Sequence, residues 1–122
     1  MSAVENLPIF REVAGHHQPA PFLITSDMFG GLPIELAGAE ISDLVGKPVA
    51  EPHVHDVPEL YLLVSARPGE AEITIEVEDS EYTVTSPAVF RVPAGKRHRF
   101  VTRRAAPGSY CFGIFLLGED GA

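Results

Sequence analysis

The chain has a single cysteine, Cys111, so no internal disulfide framework can form and a reducing interior is the expected compartment. Basic residues are scarce, nine against seventeen acidic ones, for a formal net charge of -8. A surface with that balance repels phosphate, so no nucleic-acid partner is expected. No apolar run approaches the roughly 20 residues that a membrane-spanning helix needs, so no membrane association is expected either. The stretch Met1-Ser2-Ala3-Val4-Glu5-Asn6 lacks a basic region leading into an apolar core; no signal peptide is predicted, and a cytoplasmic location is. The serines have no G-x-S-x-G-like context for a nucleophile, and Gly30-Gly31 runs into a proline rather than a helix start, which excludes a phosphate loop. Linkers, repeats and low-complexity tracts are missing too.

What is there suits one small β-domain. A length of 122 residues and 45% hydrophobic content predict a single domain, 1–122, with one core. Eleven glycines and eleven prolines favour short strands joined by turns. Residues 1–50 form a weakly patterned lead-in, with strands expected at Phe22–Thr25 and Ile34–Ala37. A turn is expected at Gly30–Pro33, and a helical turn or bulge at Ile41–Leu44. Glu59–Ser65 reads as a buried strand ended by the turn Arg67-Pro68-Gly69-Glu70. Glu72–Glu78 alternates with the period of two of a half-buried strand, and a polar turn returns it through Tyr82–Thr85. Ala88–Val92 is stopped by Pro93, His98–Thr102 follows, and Tyr110–Leu117 is almost continuously apolar, as if both its faces were covered. Cys111 lies in that last run and reads as a small core residue. Many short strands with almost no helix predict a β-barrel or sandwich.

The chemistry concentrates in His53-Val54-His55, Glu59 and, 39 residues after the glutamate, His98 behind Pro93-Ala94-Gly95. Neutral imidazoles and a carboxylate are ligands that first-row divalent metals accept. Residues two apart on a strand share a face, so His53 and His55 can address one point, with Glu59 and His98 joining from two other strand segments. Pro52 and Pro58 bracket and stiffen the first segment. Three neutral histidines and one carboxylate predict one divalent transition metal ion. Fe(II) or Mn(II) is favoured, Ni(II) and Zn(II) also fit, and no thiolate selects zinc.

These residues resemble the two motifs of the cupins over about sixty residues, from Gly46 to Thr102. The first motif, G-x5-H-x-H-x3-E-x6-G, is matched at His53, His55 and Glu59, with Gly46 one residue too distant and Ala66 at the closing glycine. The second, G-x5-P-x-G-x2-H-x3-N, is matched at Pro93, Gly95 and His98, with Pro87 and Thr102 at its ends. The motif regions are thus 46–69 and 87–102. The resemblance implies an all-β, single-domain jelly-roll barrel holding the ion at His53, His55, Glu59 and His98. It also implies a family of diverse chemistry: dioxygenases, isomerases, epimerases, decarboxylases, lyases, polyketide cyclases and non-catalytic binders.

Strand parity extends the expected site. If Glu59 points inward, so do Tyr61 and Leu63; if His98 does, so do Phe100 and Thr102. Tyr61 is either a core aromatic or a proton donor, and Glu59 either a ligand or a carrier of protons. Arg91, Phe100 and Leu63 are the candidate substrate contacts, with Arg91 alternatively a rim charge. Asp56 is a candidate acceptor behind an imidazole, or a solvated acid. Lys96, Arg97, Arg99, Arg103 and Arg104 read as a solvated loop and an outer strand face paired with Glu72 and Glu76, ahead of steering an anionic substrate. His16 and His17 read as surface residues. The expected function is a metal-dependent enzyme acting on a small oxygenated molecule, a dioxygenase first. A Lewis-acid isomerase, cyclase or lyase is the alternative within the class, and a non-catalytic sensor the alternative outside it. A homodimer is the expected assembly.

Overall fold

The computed structural model describes residues 11–12, 19–20, 22–48 and 51–118, with side chains from residue 24 onward; the N-terminal stretch, His16 and His17 lie outside the described residues. Among the described residues ten strands run in order: β1 (Arg11–Glu12), β2 (Pro19–Ala20), β3 (Phe22–Ile24), β4 (Ile34–Glu40), β5 (Glu59–Val64), β6 (Ala71–Val77), β7 (Ser80–Thr85), β8 (Ala88–Val92), β9 (His98–Ala105) and β10 (Tyr110–Leu116). β3-β4-β10-β5-β8 form one antiparallel sheet, β7-β6-β9 a second, and β1-β2 a small ribbon. The two larger sheets share no ladder and face each other across a common core: the all-β jelly-roll architecture expected of the chain. Short 3-10 turns at Met28–Gly30 and Ser42–Leu44 complete the lead-in, the second falling where a helical turn or bulge was expected.

Alternation builds the core. On β5, Glu59, Tyr61 and Leu63 are buried while Leu60, Leu62 and Val64 are half-buried on the outer face, as the period of two requires. On β9, His98, Phe100 and Thr102 are buried likewise. Ile73 and Ile75 of β6 and Cys111 of β10 fill the space between the sheets. Each large aliphatic side chain buried this way stabilises the fold by about 1.5–3 kcal/mol.

Two expectations change. The continuous apolar run is β10, flanked on both sides by β4 and β5, but only Cys111 of it is buried and the rest is half-buried. Its outward residues gain contact along the strand, where Tyr110 and Phe112 stack with centroids 6.1 Å apart. The segment carrying His53 and His55 is not a regular strand. Val45, Pro48 and His53 meet the free edge of β9 through isolated bridges, Val45 with Thr102, Pro48 with Val101 and His53 with His98. Pro48 and Pro52 have no N–H to donate, so a continuous ladder cannot form there.

Candidate metal centre

The bridge between His53 and His98 is the start of the site. Each backbone N–H donates to the other residue's carbonyl, at 3.0 and 2.8 Å. Directly opposed residues put their side chains side by side on one face, and the two rings lie 4.6 Å apart. His55, two residues on, is fixed through its carbonyl, which accepts from the Gly95 N–H at 2.9 Å. Gly95 has φ +80°, a conformation that favours glycine, so the Pro93-Ala94-Gly95 turn both stops β8 and clamps the histidine segment. The His55 ring lies 4.5 Å from that of His53 and 5.3 Å from that of His98.

Glu59 arrives from the opposite sheet. Its Oε1 is 2.9 Å from His98 Nε2 and 3.5 Å from His55 Nε2. One ligand atom from each of His53, His55, Glu59 and His98 lies within 4.8 Å of the others. Of the residues expected to bind metal, all four are therefore brought together.

The donor chemistry fits a cation. His53 Nδ1 is 2.7 Å from the Glu51 carbonyl and His98 Nδ1 is 2.7 Å from the Lys96 carbonyl. A carbonyl only accepts, so each Nδ1 carries the proton and each Nε2 of the neutral ring presents a lone pair. His98 Nε2 and Glu59 Oε1 are then two acceptors at 2.9 Å, an arrangement that needs positive charge beside both. Ligand atoms each about 2.1 Å from one ion are about 3.0–3.4 Å from each other, and the separations of Glu59 from His98 and His55, 2.9 and 3.5 Å, lie just to either side of that range. In the metal-free protein a proton on His98 Nε2 is favoured there. Burial opposes charge on His98, but the hydrogen bond it donates to Glu59, the one to the Lys96 carbonyl and the Glu59 charge outweigh it and hold the imidazole above its usual value. The acceptors behind His53 and His98 are thus backbone carbonyls. Asp56 is exposed and reads as a solvated acid.

The other expected residues divide. Tyr61 is 4% exposed, stacks on Phe90 at 5.1 Å and meets Phe100 and His98 edge-on at 5.6 and 6.0 Å. Burial, the Glu59 charge and a hydrogen bond with Glu59 push its phenol well above the ordinary value, so it stays protonated. Phe100 lines the same inner wall. Leu63 has no exposed surface and packs one step deeper than Tyr61, so it supports the wall rather than meeting a ligand. Arg91 pairs with Leu60, on the outward parity of β8, and is exposed on the outer face of the sheet. Burial and the Glu59 charge push the Cys111 thiol far up, which leaves it a neutral core group. The basic cluster is largely structural: Arg99 pairs with Glu76 at 3.3 Å, Arg104 with Glu72 at 3.6 Å, and Arg103 donates to the Thr74 hydroxyl at 2.9 Å. A bulge beside Glu72 and Ile73 puts Arg104 opposite Glu72.

Two neighbours of the site were not singled out from the sequence. Phe115 packs its ring 4.3 Å from His55. Gly113 faces Glu59 so closely that a Cβ there would be 2.5 Å from Oε2. The only sequence signal for the latter was a glycine interrupting an apolar strand.

Two facing antiparallel sheets with a three-histidine, one-carboxylate cluster between them define a small cupin barrel, and solved structures agree. A cupin 2 conserved barrel domain protein from Salinispora arenicola CNS-205 superposes with a TM-score of 0.65 at 13% identity, over 96% of this chain and 92% of its own. A cupin superfamily protein from Desulfitobacterium hafniense DCB-2 gives 0.50 at 21% identity, over 69% of this chain and 65% of its own. A structure of Co(II) HppE in complex with Tris gives 0.52 at 16% identity, over 68% of this chain and 45% of its own. The matched part thus spans less than two thirds of the latter two proteins. No protein-family model and no curated protein matches the chain. The chain thus has the fold of the cupin barrels.

Proposed function

We propose that this protein is a mononuclear metal-dependent enzyme of the cytoplasm, acting on a small oxygenated organic molecule as a dioxygenase. The carrying observation is the cluster itself, four ligand atoms within 4.8 Å beside an aromatic wall. A divalent first-row ion held there, Fe(II) or Mn(II) before Ni(II) or Zn(II), supplies Lewis acidity and, as iron, a partner for O2. The cobalt in the HppE structure supports a first-row ion in a barrel of this kind. Phe90, Phe100 and Phe115 line the approach with apolar surface, which suits an aromatic or otherwise largely apolar substrate and excludes water from developing charge. No further carboxylate or histidine stands within the described cluster as a dedicated base, which fits oxygen chemistry most simply.

One observation favours a second reading. Tyr61 is a buried, protonated phenol hydrogen-bonded with Glu59, a pair able to hand a proton to or from an enolate in a Lewis-acid isomerase, cyclase or lyase. The test is elemental analysis after anaerobic purification, followed by Fe(II) loading and a panel of catechols, diketones and hydroxy acids. Oxygen uptake with product supports the dioxygenase. Product without uptake transfers the proposal to Lewis-acid chemistry. Tight binding with full recovery of every compound refutes an enzyme and leaves a small-molecule sensor.

A further inference from the structure

Gly113 sits mid-strand in β10, opposite Tyr61 on β5 and Ala37 on β4. Glycine inside a strand weakens it, by about 0.5–1 kcal/mol relative to alanine, and β10 is otherwise built of Tyr110, Cys111, Phe112, Ile114, Phe115 and Leu116. Its own backbone does not call for glycine, since φ is not in the left-handed region there. The reason lies across the ladder. A Cβ at 113 would stand 2.5 Å from Glu59 Oε2, but a comfortable 3.8 Å from Tyr61 Cε1. The obstruction therefore falls on the carboxylate alone.

We propose that Gly113 is a positioning residue for Glu59: the bare backbone at this point of β10 leaves the room in which the carboxylate lies at ligand distance from His98 and His55. This rests on the metal-centre reading above. To restore ordinary contact of 3.4 Å, the carboxylate would have to move by about 0.9 Å, whereas metal–ligand distances hold to about 0.2 Å. The carboxylate is the far end of a rotatable side chain, so alanine at 113 displaces the ligand rather than the sheet.

The test is Co(II) titration against a competing chelator, with the visible spectrum of the bound ion and the thermal midpoint of the metal-free protein. Gly113→Ala is expected to bind Co(II) about 10–100-fold more weakly, with an altered spectrum and a near-native metal-free midpoint. In the Glu59→Asp background, whose carboxylate is one methylene short of position 113, the added Gly113→Ala is expected to cost little. Gly38→Ala is the control. A Cβ there would meet the Phe112 ring at 2.2 Å, away from the ligands, so stability should fall while Co(II) affinity holds. Gly113→Ala affinity within twofold of the native protein overturns the proposal, as does an equal fold-loss in the Glu59→Asp background. If Gly113→Ala is unfolded without metal, recovery of folding in the Glu59→Asp double variant supports the proposal, and failure to recover overturns it. Native affinity in Glu59→Ala would instead sink the metal centre itself.

Discussion

Replacing His98 with alanine tests the centre where its two halves meet. Glu59 belongs to the five-stranded sheet and His98 to the three-stranded one, and these sheets share no hydrogen-bonded ladder. A cation gripped by both residues therefore joins the layers, and its binding energy adds to fold stability. With Co(II) or Zn(II) at about a thousand times the dissociation constant, the native protein gains about 4.1 kcal/mol. For a domain of this size that is about 12–20 °C in thermal midpoint, at about 3–5 °C per kcal/mol. His98→Ala removes one of four ligands, and a loss of about 100-fold in affinity is a conservative expectation. At the same metal concentration about 1.4 kcal/mol remains, or about 4–7 °C. The metal-free protein should lose about 1–3 kcal/mol as well, because the buried Glu59 forfeits its partner at 2.9 Å. Differential scanning calorimetry with and without metal reads both quantities. An undiminished metal-induced shift in His98→Ala would refute the reasoning.

The remaining predictions concern protons, proton transfer and assembly. Because the folded His98 value is raised above the unfolded one, its protonated ring stabilises the metal-free protein fully below about pH 6.5, and this contribution is lost as pH rises through the folded value. Metal needs the unprotonated Nε2, so the metal-induced rise in thermal midpoint should grow across the same window; an increment constant from pH 5 to 8 would contradict this. Tyr61→Phe should leave metal stoichiometry intact and, if the phenol transfers the proton, lower kcat by about 10²–10⁴-fold; an unchanged kcat assigns Tyr61 to packing. We propose a homodimer through the outer face of the five-stranded sheet, where Leu60, Leu62, Phe112 and Ile114 are half-buried and Val89 is 66% exposed. Val89→Arg should halve the mass seen by light scattering, and a monomeric native protein would end the proposal.

Strand parity carried a long way. From Glu59 and His98 alone it placed Tyr61, Leu63, Phe100 and Thr102 inward, and all four are buried. It also put Arg99 outward, toward Glu76. Parity does not report depth, however. Leu63 and Tyr61 share a face, yet one is sealed in the core while the other stands beside the carboxylate. Nor does it report which backbone groups are free, and so the carbonyls of Glu51 and Lys96 behind His53 and His98 were not singled out from the sequence. Arg91 interrupts an apolar strand in the sequence, but its pairing with Leu60 turns it to solvent.

The chain by itself determined the candidate ligands, the all-β architecture and the rhythm of inward and outward residues, because side-chain type and a period of two are local properties. Only the tertiary structure decided the rest. It set how near Glu59 of one sheet comes to His98 of the other, that Val45, Pro48 and His53 bridge to the edge of β9, and that β10 is bare at Gly113. Those are distances between segments remote in sequence, and they arise only when two sheets pack face to face.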